Sequence, residues 1–254
     1  VEVDRIGDPA GIVSGTTRIT RDPIGLLMAD MAAEAIRASG LLKDGFSFQT
    51  GAGGASLAAA FALEKIMLQE GINGSFASGG ITTQLVDMQK RGCFEALLDV
   101  QCFDLGAVDS IRTNPQHKEI SAGHYASPCA ASAVVDSLDV VILGATEIDT
   151  SFNVNVHTNS QGLIMGGSGG HSDTAAGAKI AIIIAPLMRA RLPLIVDRVR
   201  TISTPGDTVD MLVTQYGIAV NPRRADLADR LRQSRLNVIS IEEQKEIAEN
   251  ICGR

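Results

Sequence analysis

The stretch Ser47-Phe48-Gln49-Thr50-Gly51-Ala52-Gly53-Gly54-Ala55 decides how this chain is read. A short apolar run enters a glycine-rich turn and leaves as Leu57-Ala58-Ala59-Ala60-Phe61-Ala62-Leu63, a helix-forming composition. Glycine permits positive φ in such a turn and lets a ligand approach bare backbone. The first amides of the helix that follows lack internal acceptors and face an anion or a carbonyl oxygen. A strand–turn–helix unit of this kind also serves plain packing, and this segment alone supports both roles equally.

Outward from it, strands and helices alternate. The first 25 residues show no sustained period and read as an irregular lead-in or interdomain segment, and residues 26–254 read as a single α/β domain. Helical spacing is expected over Leu26–Ser39, Leu57–Gln69, Ile81–Arg91, Ala130–Val135, Asp226–Ser234 and Ile241–Ile251. Strands are expected over Phe46–Gln49, Ser75–Ser78, Leu97–Phe103, Leu138–Leu143, Val154–Val156, Lys179–Ala185, Leu194–Arg200 and Val209–Thr214. Leu138–Leu143 is a largely apolar, β-branched run, as in strands covered on both faces of a parallel sheet. Ser240 and Glu243 fit a capping box for the last helix. The stretch from about Gly144 to Gly217 carries more strands than helices, so a mixed region is expected there. The fold class is therefore α/β: three layers, with a largely parallel mixed sheet flanked by helices.

Composition narrows the function classes. With 254 residues the chain buries a sizeable core, and 45% apolar with 20% charged residues is ordinary for a globular protein. A net charge of −7 argues against nucleic acid or an anionic membrane as partner. No apolar run reaches the roughly 18–20 residues that span a bilayer. Cys93, Cys102, Cys129 and Cys252 form no CxxC pair and read as free thiols of a reducing cytosol. The chain starts at Val1 without Met, which suggests a part of a longer polypeptide.

Glycine-containing turns recur at expected strand ends: Gly51-Ala52-Gly53-Gly54, Gly79-Gly80, Gly144-Ala145-Thr146-Glu147 and Gly166-Gly167-Ser168-Gly169-Gly170. In open α/β sheets ligands sit outside the carboxyl ends of strands, and several amide-rich turns there suit an extended ligand with phosphates or carbonyls. None is a P-loop or a complete GxGxxG fingerprint. Glu147 follows an apolar strand and is a candidate base, nucleophile or orienting group, or simply a carboxylate capping a turn. Asp149 reads as a turn former beside Asn153. His117, His124, His157 and His171 show no HxxxH or HExxH pair, which argues against zinc chemistry, and no metal ligand is assigned. Arg18, Arg21, Arg112, Arg198 and Arg200 are candidate carboxylate binders.

Together these segments resemble the carboxyl-terminal half of citrate lyase alpha subunits, the citrate:acetyl-carrier-protein transferases. The resemblance runs through essentially all 254 residues. Its most specific stretches are Phe48–Gly54, Phe76-Ala77-Ser78-Gly79-Gly80-Ile81-Thr82, Leu143-Gly144-Ala145-Thr146-Glu147-Ile148-Asp149 and Ile202–Asp210. More distantly, the order of turns is similar to coenzyme A transferases. The resemblance implies paired α/β domains with the site between them. It also implies a reaction in which acetyl-thioester plus citrate gives citryl-thioester plus acetate. The implied thiol ends a dephospho-coenzyme-A-derived phosphopantetheine arm on an acyl carrier (gamma) subunit, with coenzyme A thioesters as stand-ins and no tightly bound cofactor. A lyase (beta) subunit then cleaves the product. The amino-terminal half of the same chain, an oligomer and a cytoplasmic setting complete the implied context.

Acetate-type relatives place a nucleophilic glutamate where this sequence has Gly79. The resemblance therefore implies a ternary-complex, mixed-anhydride route without a glutamyl-enzyme. Gly53 and Gly54 are then expected to hold the thioester oxyanion, with Gly51 in the same turn. Ser78, Gly79 and Gly80 leave room for citrate, and Gly166, Gly167, Gly169 and Gly170 flank the pantetheine arm. Glu147 is the rival nucleophile. The alternatives are a coenzyme A transferase or hydrolase with a covalent glutamyl intermediate, a malonate decarboxylase transferase subunit, a sugar-phosphate-binding module, and a non-catalytic assembly subunit.

Overall fold

The computed structural model describes residues 2, 4, 7, 8 and 17–253. Residues 1, 3, 5, 6 and 9–16, most of the expected lead-in, lie outside the described residues, as does residue 254. In chain order the elements begin α1 (Pro23–Ala38), β1 (Ser47–Thr50), α2 (Gly54–Glu70), β2 (Gly74–Ile81), α3 (Thr83–Lys90), β3 (Phe94–Cys102), α4 (Leu105–Thr113), β4 (His117–Glu119), α5 (Ala122–Ala126) and β5 (Val140–Leu143). They continue β6 (Glu147–Asp149), β7 (Val154–Asn155), α6 (His171–Gly177), β8 (Ile180–Ile184), β9 (Met188–Arg189), β10 (Leu192–Pro193) and β11 (Ile195–Val196). The last are β12 (Met211–Thr214), β13 (Gly217–Val220), α7 (Ala225–Gln233) and α8 (Ile241–Cys252).

The main sheet has eight strands in the order β13-β12-β8-β5-β1-β2-β3-β4. Every neighbouring pair is parallel except β12–β13. Strand residues alternate between its two faces, as pleating requires. Val140, Ile142, Ile180, Ile182, Met211 and Val213 pack with α1, α2 and α7. Val141, Leu143, Ala181, Ile183 and Leu212 pack with α5, α6, α8 and the small β11-β6-β7 sheet. These are the expected three layers, and the β6–β11 region is the expected mixed one.

Local chemistry sets the element ends. Asp22 caps α1 by accepting from the Gly25 amide, with Pro23 in the first turn, so the helix begins three residues before its apolar periodicity. α2 starts directly in the glycine turn, with Gly53 at its N-cap. The Ser240–Glu243 capping box of α8 forms as expected.

Four expectations need correction. Leu194–Arg200 is not one strand; only Ile195–Val196 within it pairs, as β11. Ala130–Val135 is not a helix; only a short 3-10 turn, Val134–Ser137, forms there. Ile81 ends a strand instead of opening a helix, so α3 begins at Thr83. Gly79 and Gly80 are not a strand-end turn. They lie inside β2, where a bulge leaves Val100 of β3 unpaired: Gly79 pairs with Asp99, and Gly80 with Gln101.

Because Ile182 is fully buried in the central strand β8, Ile182→Ala should cost about 2–5 kcal/mol of unfolding free energy. Leu26, 42% exposed on α1, should change it by about 0.5 kcal/mol or less when made Ala. Urea unfolding of the two variants checks the assignment of these faces, and equal losses would refute it.

Candidate active site

Strand β1 runs on through α2 to β2 on one side, whereas its other neighbour, β5, arrives much later in the chain. The connections leaving these two strands diverge, which opens a crevice at their carboxyl ends. A cavity of about 460 Å³ lies there. Its floor is Gln49, Thr50 and Gly51 from the end of β1 and Leu143 and Gly144 from the end of β5. Gly80, Val100, Gln101 and Phe103 form one wall, and Tyr125 with Gly169, Gly170, His171 and Asp173 forms the other.

Three side chains carry its polarity. The Gln49 amide nitrogen donates to the Tyr125 hydroxyl at 2.6 Å, and Oε1 of the same amide is buried without a partner. A hydroxyl both donates and accepts, so Tyr125 can hold either end of that amide and leave the other free. Burial pushes the Tyr125 phenol up to about 12. His171 lies between Thr204 Oγ1 (2.7 Å from Nδ1) and the Gly144 carbonyl (2.8 Å from Nε2). Burial lowers its pKa, so the ring is neutral at pH 7 and donates from Nε2 to the carbonyl. It thereby fixes the turn after β5. Neither group is ionised near neutrality, so these two present dipoles, beside the carboxylate of the lining residue Asp173.

The residues singled out from sequence are distributed as follows. Gly51, Gly80, Gly169 and Gly170 line the cavity. The Gly51 amide is already bonded to the Ile142 carbonyl at 2.9 Å, so it is spent on the sheet. Gly53 and Gly54 lie just beyond the lining residue Ala52. The Gly54 carbonyl accepts from the Thr20 amide, which packs the lead-in against the start of α2. Gly166 and Gly167 are exposed, on the approach to Gly169 and outside the lining.

Of Ser78, Gly79 and Gly80, where room for citrate is expected, Gly80 alone lines the cavity. Gly79 has φ +99°, and a Cβ there would sit 3.1 Å from Gln49 Cγ and Cδ; a Cβ on Gly80 would collide with the Phe103 ring. Gln49 and Phe103 fill the space, while Ser78 pairs with Gln49 in register and keeps a buried, unpartnered hydroxyl. Glu147 is outside the lining too: it is buried in β6, where its carboxylate accepts from Asn155 Nδ2 at 3.2 Å. Asp149 accepts from the Ser151 and Asn153 amides, the turn role expected of it.

No Arg or Lys is among the described residues that line the cavity. Arg198 and Arg200 border a separate concavity with Ser160 and Ile202, and Arg112 pairs with Asp109 on the surface of α4. Cys102, one residue from the wall residue Gln101, is no ready nucleophile, because burial pushes its thiol up to about 12. Sequence reading gave no role to Gln49 or Tyr125. The signal available for Gln49 was its place two residues before the glycine turn; Tyr125 offered none.

The family model described as "Citrate lyase, alpha subunit (CitF)" matches residues 1–254. The citrate lyase alpha chain of Escherichia coli K12 is 52% identical over 253 residues, and that of Klebsiella pneumoniae 51% over 254. A crystal structure described as the alfa subunit of citrate lyase from Streptococcus mutans in complex with citrate superposes with a TM-score of 0.94 at 47% identity, over 99% of this chain and 50% of that one. The chain spans about half the length of the curated relatives it matches.

The neutral His171 carries a pH signature. Its folded pKa lies below the unfolded value of 6.5, so the stability it contributes is complete above about 6.5 and is lost as pH falls toward the folded value. Urea unfolding at pH 7 and pH 5 should show a steeper loss for the native chain than for His171→Gln; equal losses would show that this ring is not held neutral.

Proposed function

The chain belongs to the citrate lyase alpha subunit family, and from that premise we propose that it forms part of an acyl-exchange transferase. The substrates are an acetyl-thioester and citrate, and the products are citryl-thioester and acetate. The observation that carries the reading is the cavity at the β1/β5 divergence, with one end of the Gln49 amide held by Tyr125 and the other free.

A citrate carboxylate oxygen attacks the acetyl carbonyl carbon, the C–S bond breaks, and a thiolate leaves a mixed acetic–citric anhydride. The thiolate then attacks the citryl carbonyl, and acetate leaves. One anion is consumed and one released at each step, so no proton moves and no acid/base pair is required. That requirement fits a cavity whose Tyr125 and His171 are un-ionised at neutral pH. Catalysis then rests on positioning and on dipoles aimed at the two tetrahedral oxyanions. The α2 amides after Gly53 have no intrahelical acceptors and are the proposed oxyanion donors. The free end of the Gln49 amide orients citrate, and the Gly169–Gly170 segment flanks the thioester arm. The cations that balance a tricarboxylate come from the rest of the longer polypeptide. The carrier and lyase subunits, an oligomeric assembly and a cytoplasmic setting belong to the same proposal.

Incubation with acetyl-coenzyme A and citrate tests it, with citryl-coenzyme A detected chromatographically, for the chain alone and with the remaining half of the polypeptide. Product is expected only with both halves; none in either case, from folded protein, would leave a non-catalytic assembly role. Gln49→Leu should lower kcat/KM for citrate by about 10- to 100-fold, the range for a hydrogen bond to a charged group. Glu147→Gln should lower it by less than about 10-fold. Near-complete loss with Glu147→Gln, together with a trapped glutamyl-thioester, would instead establish the covalent route.

A further inference from the structure

Behind the wall of the cavity, three side chains from the adjacent strands β3 and β4 converge. In a regular strand Asp99 and Cys102 would face opposite sides of the sheet. The extra residue Val100 in the β3 bulge reverses the alternation and brings both side chains to one face. Asp99 Oδ2 lies 2.8 Å from Cys102 Sγ and 3.1 Å from His117 Nε2, the latter on β4. The carboxylate oxygen, the sulfur and the imidazole nitrogen all lie within 4.8 Å of one another. Asp99 and His117 are buried, and Cys102 is half-buried.

This donor set is that of a borderline-soft cation. Zinc takes thiolate sulfur at about 2.3 Å, imidazole nitrogen at about 2.0 Å and carboxylate oxygen at about 2.1 Å, in a tetrahedral array. Such bond lengths put neighbouring donors roughly 3.5 Å apart. The two Asp99 separations, 2.8 and 3.1 Å, are shorter than this, so the carboxylate would move outward as the ion enters. The ligating nitrogen would be Nε2, because Nδ1 of His117 is held by Ser110 Oγ at 3.0 Å. An outer partner of this kind is what fixes the orientation of a metal-bound imidazole. The second Asp99 oxygen accepts from the Gln101 amide at 2.7 Å, which anchors the carboxylate to the bulge. Cys102 is the one half-buried member of the cluster, so a water as fourth ligand would reach the ion from its side.

We propose that Asp99, Cys102 and His117 form a three-ligand site for a single zinc-class divalent cation. Cys102 binds as the thiolate and releases its proton to solvent. The ion ties β4 to the β3 bulge and so fixes Val100 and Gln101 in the cavity wall. The site is independent of the transferase reading, since none of its ligands lines the cavity. Sequence spacing conceals it, because the bulge and the β3–β4 pairing assemble it.

Cobalt(II) titration of the reduced, chelator-stripped chain tests the proposal. One equivalent should produce the visible bands of a tetrahedral site and a near-ultraviolet thiolate-to-cobalt charge-transfer band, both removed by zinc. Cys102→Ser, checked for folding by circular dichroism, should lose the charge-transfer band. Ser110→Ala should keep it and bind about tenfold more weakly, the effect of removing an outer partner. The proposal is overturned if the folded native chain shows no such band, or if the band survives in Cys102→Ser and so belongs to Cys93, Cys129 or Cys252. His117→Gln should weaken binding well beyond the effect of Ser110→Ala, and unchanged affinity in folded His117→Gln would overturn the three-ligand site.

Discussion

The register of β1 against β5 is the constraint on which the site depends, and a buried polar pair helps to set it. The Ser47 amide donates to Asp139 Oδ2 at 2.9 Å across 92 residues of sequence, and the Asp139 amide returns a bond to Ser47 Oγ at 2.8 Å. Lys179 closes the cluster on the other Asp139 oxygen at 2.6 Å, drawing in the start of β8. At the opposite end of β1 the last sheet bond is Gly51 N–H to the Ile142 carbonyl. Beyond it the two chains part, and the cavity begins there. A two-residue slip would keep the apolar faces correct but break both ends of this arrangement. Apolar packing sets the layers; these reciprocal bonds select the register that lines up Gln49 and Gly144.

The wall of the cavity depends on a second irregularity. The β3 bulge accommodates one more residue than β2 offers, and glycine is the residue that β2 can place opposite it. Gly79 takes a positive φ, and Gly80 lies flat against the Phe103 ring. A side chain at either position would displace Gln49 or Phe103, so the glycines position neighbours instead of leaving a hole. The functional meaning of the missing carboxylate at Gly79 thus changes. Its space goes to a neutral amide from the adjacent strand, whose orientation is held by Tyr125.

The sequence was legible where one force dominated. Continuous apolar runs gave β5 and β8 to within one or two residues, because strands covered on both faces need little else. The Ser240–Glu243 box located α8, because its cap is local chemistry. Elements decided by tertiary context were not legible: α4, α5, β4 and α6 are short, and their apolar residues are too few to show a period. Ala130–Val135 has helical composition, but the chain there must turn from α5 toward β5 within a few residues. At the site, the glycines of the first turn were visible as a type, whereas Gln49 and Tyr125 acquire a role only by meeting across 76 residues. The Asp99–Cys102–His117 cluster was hidden for the same reason, since a bulge has no composition of its own.

In the proposed exchange, a cavity without an acid/base pair suffices. A general base is needed where a neutral nucleophile must lose a proton; a carboxylate attacking a thioester has none to lose. An ionised residue beside it would add an interaction present before the transition state as well as in it, and uniform binding of that kind does not accelerate the step. Neutral donors aimed at the carbonyl oxygen act mainly as charge moves onto it. Charge is still required to retain a tricarboxylate, but it need not lie beside the reacting carbon. The lining residues offer amides, a phenol and a neutral imidazole, and one carboxylate, Asp173. Under the proposed reaction, dipoles belong at the reacting centre and cations at the distal carboxylates, so the two can be carried by different parts of one polypeptide.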